Sequence, residues 1–193
     1  MRKLLLLGGC LAAVSLTLAA CGSSESDEDK ITSVIETSTT STDPADCDAL
    51  LTLKFMEQVE FEEGKAAVKS CEEEASDASG NPDSVTVSEV EVDGSSATAT
   101  VAFVGGGLDG QTLSIGLVDE DGDWQLNEIE SFVEFDREAL IASLEESLTT
   151  GPDALEDEAA SCILEEFEES SDEELEESVL EPESILGVVE SCA

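Results

Sequence analysis

The chemistry open to this 193-residue chain is set by its reactive side chains: six cysteines and 48 aspartates and glutamates, with no histidine and no tyrosine. Without an imidazole, neither a Ser-His-Asp nor a Cys-His nucleophile can be assembled, because nothing is present to take the proton from the hydroxyl or thiol. Carboxylates are left as the candidate acid–base groups, and thiols as sites of cross-linking, metal ligation or covalent attachment. The carboxylate best placed for acid–base work is Glu128. It follows Trp124 and Leu126 at even spacing, so a strand that keeps its alternation turns it inward, where burial raises a carboxyl pKa toward that of a general base. Ile129 breaks the alternation and favours a position at the rim. The expectation is a non-catalytic chain, with an isomerase- or dehydratase-like use of Glu128 as the alternative.

Other acidic stretches carry less. Asp119-Glu120-Asp121-Gly122-Asp123 has the acids of a calcium loop, but Trp124 stands where an EF-hand needs glycine, so the stretch reads as a hairpin turn. Glu165, Glu166, Glu168, Glu169, Asp172, Glu173, Glu174, Glu176 and Glu177 could hold divalent cations weakly through oxygen ligands, and read more simply as a solvated helix face. Gly105-Gly106-Gly107 lacks the Gly-Lys-Ser/Thr of a phosphate loop and reads as a flexible turn. No metal and no cofactor are expected.

At the N-terminus, Arg2 and Lys3 precede an apolar run from Leu4 to Leu18, about 15 residues, too short for an ordinary membrane span and suited to a secretory signal. A plain signal-peptidase site wants a small residue where Leu18 stands. Leu18-Ala19-Ala20-Cys21 instead resembles the lipobox of bacterial lipoproteins. The resemblance implies cleavage before Cys21, a diacylglycerol on its thiol and acylation of the new amino group. It also implies an extracytoplasmic protein, anchored by lipid to the outer face of the cell membrane rather than spanning it. Each buried methylene contributes roughly 0.8 kcal/mol, so one acyl chain holds marginally and two or three hold stably.

On that reading Cys10 leaves with the signal and Cys21 is lipidated, so Cys47, Cys71, Cys162 and Cys192 remain. An even number in an oxidising compartment suggests two disulfides. Of the three pairings, Cys47–Cys71 and Cys162–Cys192 are expected because each pair lies within one run of helices. A zinc site is set aside, since there is no Cys-x-x-Cys and no histidine.

The formal net charge of −41 repels nucleic acid and anionic headgroups, which excludes both as surface partners. At molar salt the Debye length falls to about 3 Å and the self-repulsion is largely screened. A halophilic source, divalent-cation binding and repulsion from an anionic wall each fit such a charge.

Along the chain, an acidic tether (21–29) leads into Ile31, Val34 and Ile35 at helical spacing, with Ser26-Asp27-Glu28-Asp29 able to cap that helix. A second helix carries Leu50, Leu51, Phe55 and Val59, and a third runs from Glu63 to Ala75. After Ser79-Gly80-Asn81-Pro82 the period changes to two. Val85 and Val87, then Val90 and Val92 with a bulge near Ser88-Glu89, form a first strand. Ala97 to Phe103, Leu113 to Leu117, and Trp124 with Leu126 supply three more, as an antiparallel meander. Beyond it, Leu140, Ile141, Leu144 and Leu148, then Leu155, Ala159, Cys162, Ile163 and Phe167, then Leu175 and Val179, and finally Ile185, Leu186 and Val189 mark four more helices, the last three closed by Cys162–Cys192.

The predicted fold is therefore α+β: N-terminal helices packed on a bent four-stranded antiparallel sheet, followed by a disulfide-closed helical C-terminal part. The order of helices and strands, with Asp-Gly-Asp-Trp-Gln-Leu at 121–126, resembles the cone-shaped nuclear-transport-factor and ketosteroid-isomerase superfamily. The stretch Cys-Asp-Ala-Leu-Leu-Thr at 47–52, with a second Cys after a helix, looks like small secreted actinobacterial lipoproteins. Ketosteroid isomerases also use a tyrosine donor, which this chain lacks. The expected organisation is a signal (1–20), the tether, a cone-like domain (30–135) and a helical subdomain (136–193). Val101, Phe103, Leu113, Ile115 and Trp124, with Glu128, would line the hollow that the resemblance implies or form a packed core. The expected role is an envelope lipoprotein that binds a small apolar ligand or a protein partner; a structural, cation-binding surface protein is the other alternative.

Overall fold

Ser26 caps the first helix, α1 (Asp27–Thr40): its hydroxyl accepts from the Asp29 N–H at 3.2 Å while the Asp29 carboxylate accepts from the Ser26 N–H. The reciprocal cap satisfies two backbone donors and sets three acids at the positive end of the helix, so Asp27–Asp29 are helix rather than tether. The computed structural model describes residues 25–76, 78–150 and 154–192; the segment Leu18–Cys21, and with it the expected lipidation of Cys21, lies outside the described residues.

The single helix expected from Asp46 through Val59 is two, α2 (Ala45–Leu50) and α3 (Leu53–Glu60). Leu51 is extended and bridges Leu126, and the Thr52 N–H donates to the Leu126 carbonyl at 2.9 Å. The Thr52 hydroxyl then accepts from the Phe55 N–H and restarts the helix. A threonine that can cap, beside a strand edge in need of a partner, outweighs the helical period of the leucines. After α4 (Lys65–Glu74), the Cys47–Cys71 disulfide ties α2 to α4.

Strands β1 (Ser84–Asp93), β2 (Ser96–Val104), β3 (Thr112–Glu120) and β4 (Asp123–Glu134) form an antiparallel meander in sequence order. The alternation places Ala97, Ala99, Val101, Phe103, Leu113, Ile115, Leu117, Trp124 and Leu126 in one buried cluster with Ile31, Ile35 and Phe55. The β1 register shifts between Ser88 and Glu91, where Glu89 takes a positive φ of 50°, and such a bulge bends the sheet. Asp121 and Gly122, both at positive φ, close the β3–β4 hairpin, and the Asp119 carboxylate accepts from the Gly122 N–H at 2.7 Å.

The glycine run is not a free turn. A Cβ on Gly106 would stand 2.6 Å from the Gly80 carbonyl oxygen, and one on Gly105 2.9 Å from the Asp83 carboxylate. Both have positive φ, so glycine is needed here for the close approach of two loops.

Past the sheet, α5 (Arg137–Thr149), α6 (Asp157–Glu169), α7 (Asp172–Leu180) and α8 (Pro182–Cys192) build a second core around Leu140, Ile163, Phe167 and Leu175. The Cys162–Cys192 disulfide joins α6 to α8. Leu155 precedes α6 and is exposed, and Ala160 is the buried alanine rather than Ala159. The side chains of Ile185 and Leu186 lie outside the described residues. Gln111 locks the junction of the two parts. Fully buried, it donates to the Asp136 carbonyl at 2.8 Å and accepts from the Asp136 N–H at 3.0 Å, while Asp136 caps α5 by accepting from the Ala139 N–H. Among the described residues no helix is long and apolar enough to cross a membrane.

Candidate ligand-binding cleft

Five of the residues expected to line a hollow are buried in the sheet's own core: Val101, Phe103, Leu113, Ile115 and Trp124. They are packing residues, and none of them lines the cleft described below. The Trp124 Nε1–H has no hydrogen-bond partner in that core, a cost of about 1–3 kcal/mol that the ring's burial outweighs.

Glu128 does not take the inward place that the catalytic alternative requires, and the break signalled by Ile129 is where the phase changes. Leu117 pairs with Leu126 but Gly116 pairs with Glu128, so β4 carries one extra residue at Asn127 and its phase flips. Ile129 takes the inward place and Glu128 turns to the outer face of the sheet. There its side chain and that of Glu130 crowd Gly116, and its carboxylate pairs with Lys54. Its side chain is 36% exposed. The buried, inward-facing base that the catalytic alternative needed is not formed.

The same bulges let α3 seal the free edge of β4. The Gln58 side chain accepts from the Ile129 N–H at 2.8 Å and donates to the Ile129 carbonyl at 3.0 Å, in place of a neighbouring strand, and donates also to the Leu180 carbonyl at the end of α7. Gln125, on β4 itself, donates its side-chain amide to the carbonyls of Asp48 and Ala49 in α2.

With the edge held in this way, a cleft of about 770 Å³ opens between the N-terminal helices and α5. Leu51 and Val59, both partly exposed, form an apolar wall backed by the buried Phe55 and Leu126; Asp43, Asp46, Glu60, Glu74 and Glu146 surround it, and hydroxyls of Ser38, Thr39, Ser143 and Ser147 complete the rim. The size and the mix of apolar wall and few polar groups are those of a small-molecule site. Glu60, at the end of α3, is half-buried, and its pKa is pushed up to about 7 by burial first, then by the nearby Glu74 and Glu62 carboxylates. At neutral pH it is thus held between its two charge states.

Leu51, Phe55 and Val59 were legible as an apolar stripe, but Glu60 was not. Its half-burial and the approach of Glu74 come with the packing of α3 against α4, which no local pattern places beside it. Among the described residues no group of three or more Cys, Asp or Glu side chains converges to hold a metal ion.

Set against known protein families, curated proteins and solved structures, the chain matches none.

Proposed function

We propose that this chain is a lipid-anchored, extracytoplasmic binding protein, non-catalytic, tethered to the membrane through Cys21 and taking a small apolar ligand into the cleft bounded by α1–α5. The cleft carries the ligand reading. Leu51 and Val59 stay partly exposed over the buried Phe55 and give the cleft an apolar wall beside the closed sheet core, and apolar surface left at a concave site of this kind is more often a ligand site than a packing fault. The tether reading rests on the charged, then apolar N-terminus and the lipobox resemblance at Leu18–Cys21. The strong excess of acids, 48 against seven basic residues, leaves anionic headgroups and nucleic acid outside the range of partners.

A neutral solvatochromic dye tests the cleft. Fluorescence enhancement with a blue shift is expected, and Val59→Trp, which fills the wall, abolishes it while circular dichroism stays unchanged. A dye response that persists in Val59→Trp would overturn the cleft as the site. For the tether, intact mass of the membrane-extracted protein should equal residues 21–193 plus diacylglycerol; an uncleaved or unlipidated chain sinks it.

A further inference from the structure

We infer that the ligand of the cleft is an organic cation, its apolar body lying on Leu51, Phe55 and Val59 and its ammonium group beside the Glu60 carboxylate. The inference rests on the cleft being a ligand site, and it adds the sign of the ligand's charge and the residue that reads it.

Among the described residues, every charged side chain lining the cleft is a carboxylate. Asp43 and Asp46 already serve the fold: Asp43 accepts from the Ala45 N–H at 3.0 Å and Asp46 from the Ser41 hydroxyl. Glu60 takes neither a hydrogen bond nor an ion pair among the described residues; what surrounds it is burial and the like charges of Glu74 and Glu62. The nearby helix α4 carries Lys65 and Lys69, but neither lines the cleft, and Lys69 is engaged with Glu73 at 2.7 Å. A carboxylate in that position is compensated either by a proton or by a cation from outside the chain.

An anionic ligand would meet five carboxylates and no counter-charge among the described residues. A bare metal ion would leave the apolar wall in water and lacks a converging ligand set among the described residues. A neutral apolar ligand fills the wall but brings no counter-charge, so Glu60 is then compensated only where it holds a proton. An amphiphilic ammonium satisfies both faces, because its stem buries against the wall while its head supplies the missing partner.

Because ligand and proton compete for one carboxylate, binding is linked to pH. Glu60 must lose its proton to accept the ammonium, so affinity falls by up to tenfold per pH unit below about 7. Above that pH it is flat until the amine itself loses its proton, near pH 10 for an alkylamine of lysine type.

The test uses the full chain in lipid nanodiscs, with empty discs as the blank, titrated calorimetrically at fixed ionic strength with 2-phenylethylammonium and with its neutral isostere 2-phenylethanol. The ammonium should bind at least tenfold tighter at pH 8, and should release close to one proton per ligand at pH 6 and almost none at pH 8. Glu60→Gln should abolish both the preference and the proton release, so that ammonium and alcohol bind alike. Equal affinities for the two compounds would overturn the cation inference and leave the apolar-ligand reading standing; binding of neither would overturn both. A preference for the ammonium that survives in Glu60→Gln would overturn the assignment to Glu60.

Discussion

In residues 27–134 four lysines are spread among the acids, and Lys30, Lys54 and Lys69 each pair with a carboxylate. In residues 137–192 a single basic side chain, Arg137, serves four helices. Arg137 donates to the Asp172 carboxylate at 2.9 Å and to the carbonyls of Phe167 and Glu168 at 3.0 Å, so one guanidinium both caps the end of α6 and binds the start of α7. The first region is held by long-range strand pairing and a large apolar cluster, whereas the second has a small cluster, one disulfide and helix caps such as Ser171. At that cap the backbone N–H and hydroxyl of Ser171 hold the Glu174 carboxyl below its ordinary range. The contrast teaches that the same acidic composition is carried by non-local contacts in one region and by a few point fastenings in the other. Self-repulsion among surface acids, which salt screens, should therefore act mostly on the second.

The largest effect comes from the disulfides. Their loops are of similar length, with separations of 24 and 30 residues, so chain entropy assigns each about 3.5 kcal/mol. The consequences should nevertheless differ. Replacing Cys162 and Cys192 together by serine should raise hydrogen exchange throughout α6–α8 and lower the stability of that region steeply at low salt. Replacing Cys47 and Cys71 should lower the main transition with the C-terminal helices still protected. If both pairs gave one and the same cooperative loss, the two regions would be a single folding unit and the comparison would fail.

Next is Arg137→Met, which keeps the stem and removes the fork. Loss of three charge-assisted bonds should cost about 2–3 kcal/mol, read as faster exchange at the end of α6 and the start of α7. Gln111→Leu should cost about 2 kcal/mol, because the Asp136 N–H and carbonyl lose their buried partner. Its signature is that both regions are affected, since Gln111 sits at their junction. An effect confined to one side would show that the junction carries no coupling, and a thermal scan followed by Trp124 fluorescence and far-ultraviolet dichroism separates these outcomes.

Much of the architecture was open to reading because its signals are local. The alternating valines and alanines of β1 and β2, the phase change near Ser88, the Asp-Gly turns and the spacing of the four cysteines each act over a few residues or one helical run, and the α+β order follows from them. What was hidden depends on partners far along the chain. The bulge at Asn127 that turns Glu128 outward exists because α3 supplies Gln58 to the displaced Ile129 backbone, and residue 58 carries no mark of that duty in the sequence. The break at Leu51 likewise answers to Leu126. Glu60 is one acid among 48, and only the packing of α3 against α4 sets it apart.

The smallest effect is the most specific to the first region. Glu60 is protonated more readily in the folded chain than in the unfolded one, its pKa lying at about 7 against 4.5. Between those values the folded state holds a proton that the unfolded state has lost, so stability from this group falls as pH rises from about 4.5 to 7 and is constant above. Glu60→Gln removes the penalty. Since the group is only half-buried, solvent screening discounts the gain to about 1 kcal/mol at pH 8, and it should vanish at pH 4.5. Chemical denaturation of variant and parent at both pH values checks this. Glu62→Gln, which removes only the weakest of the three causes, should give a smaller gain with the same pH dependence. A pH-independent gain from Glu60→Gln would mean that packing, not charge, sets the cost at the cleft.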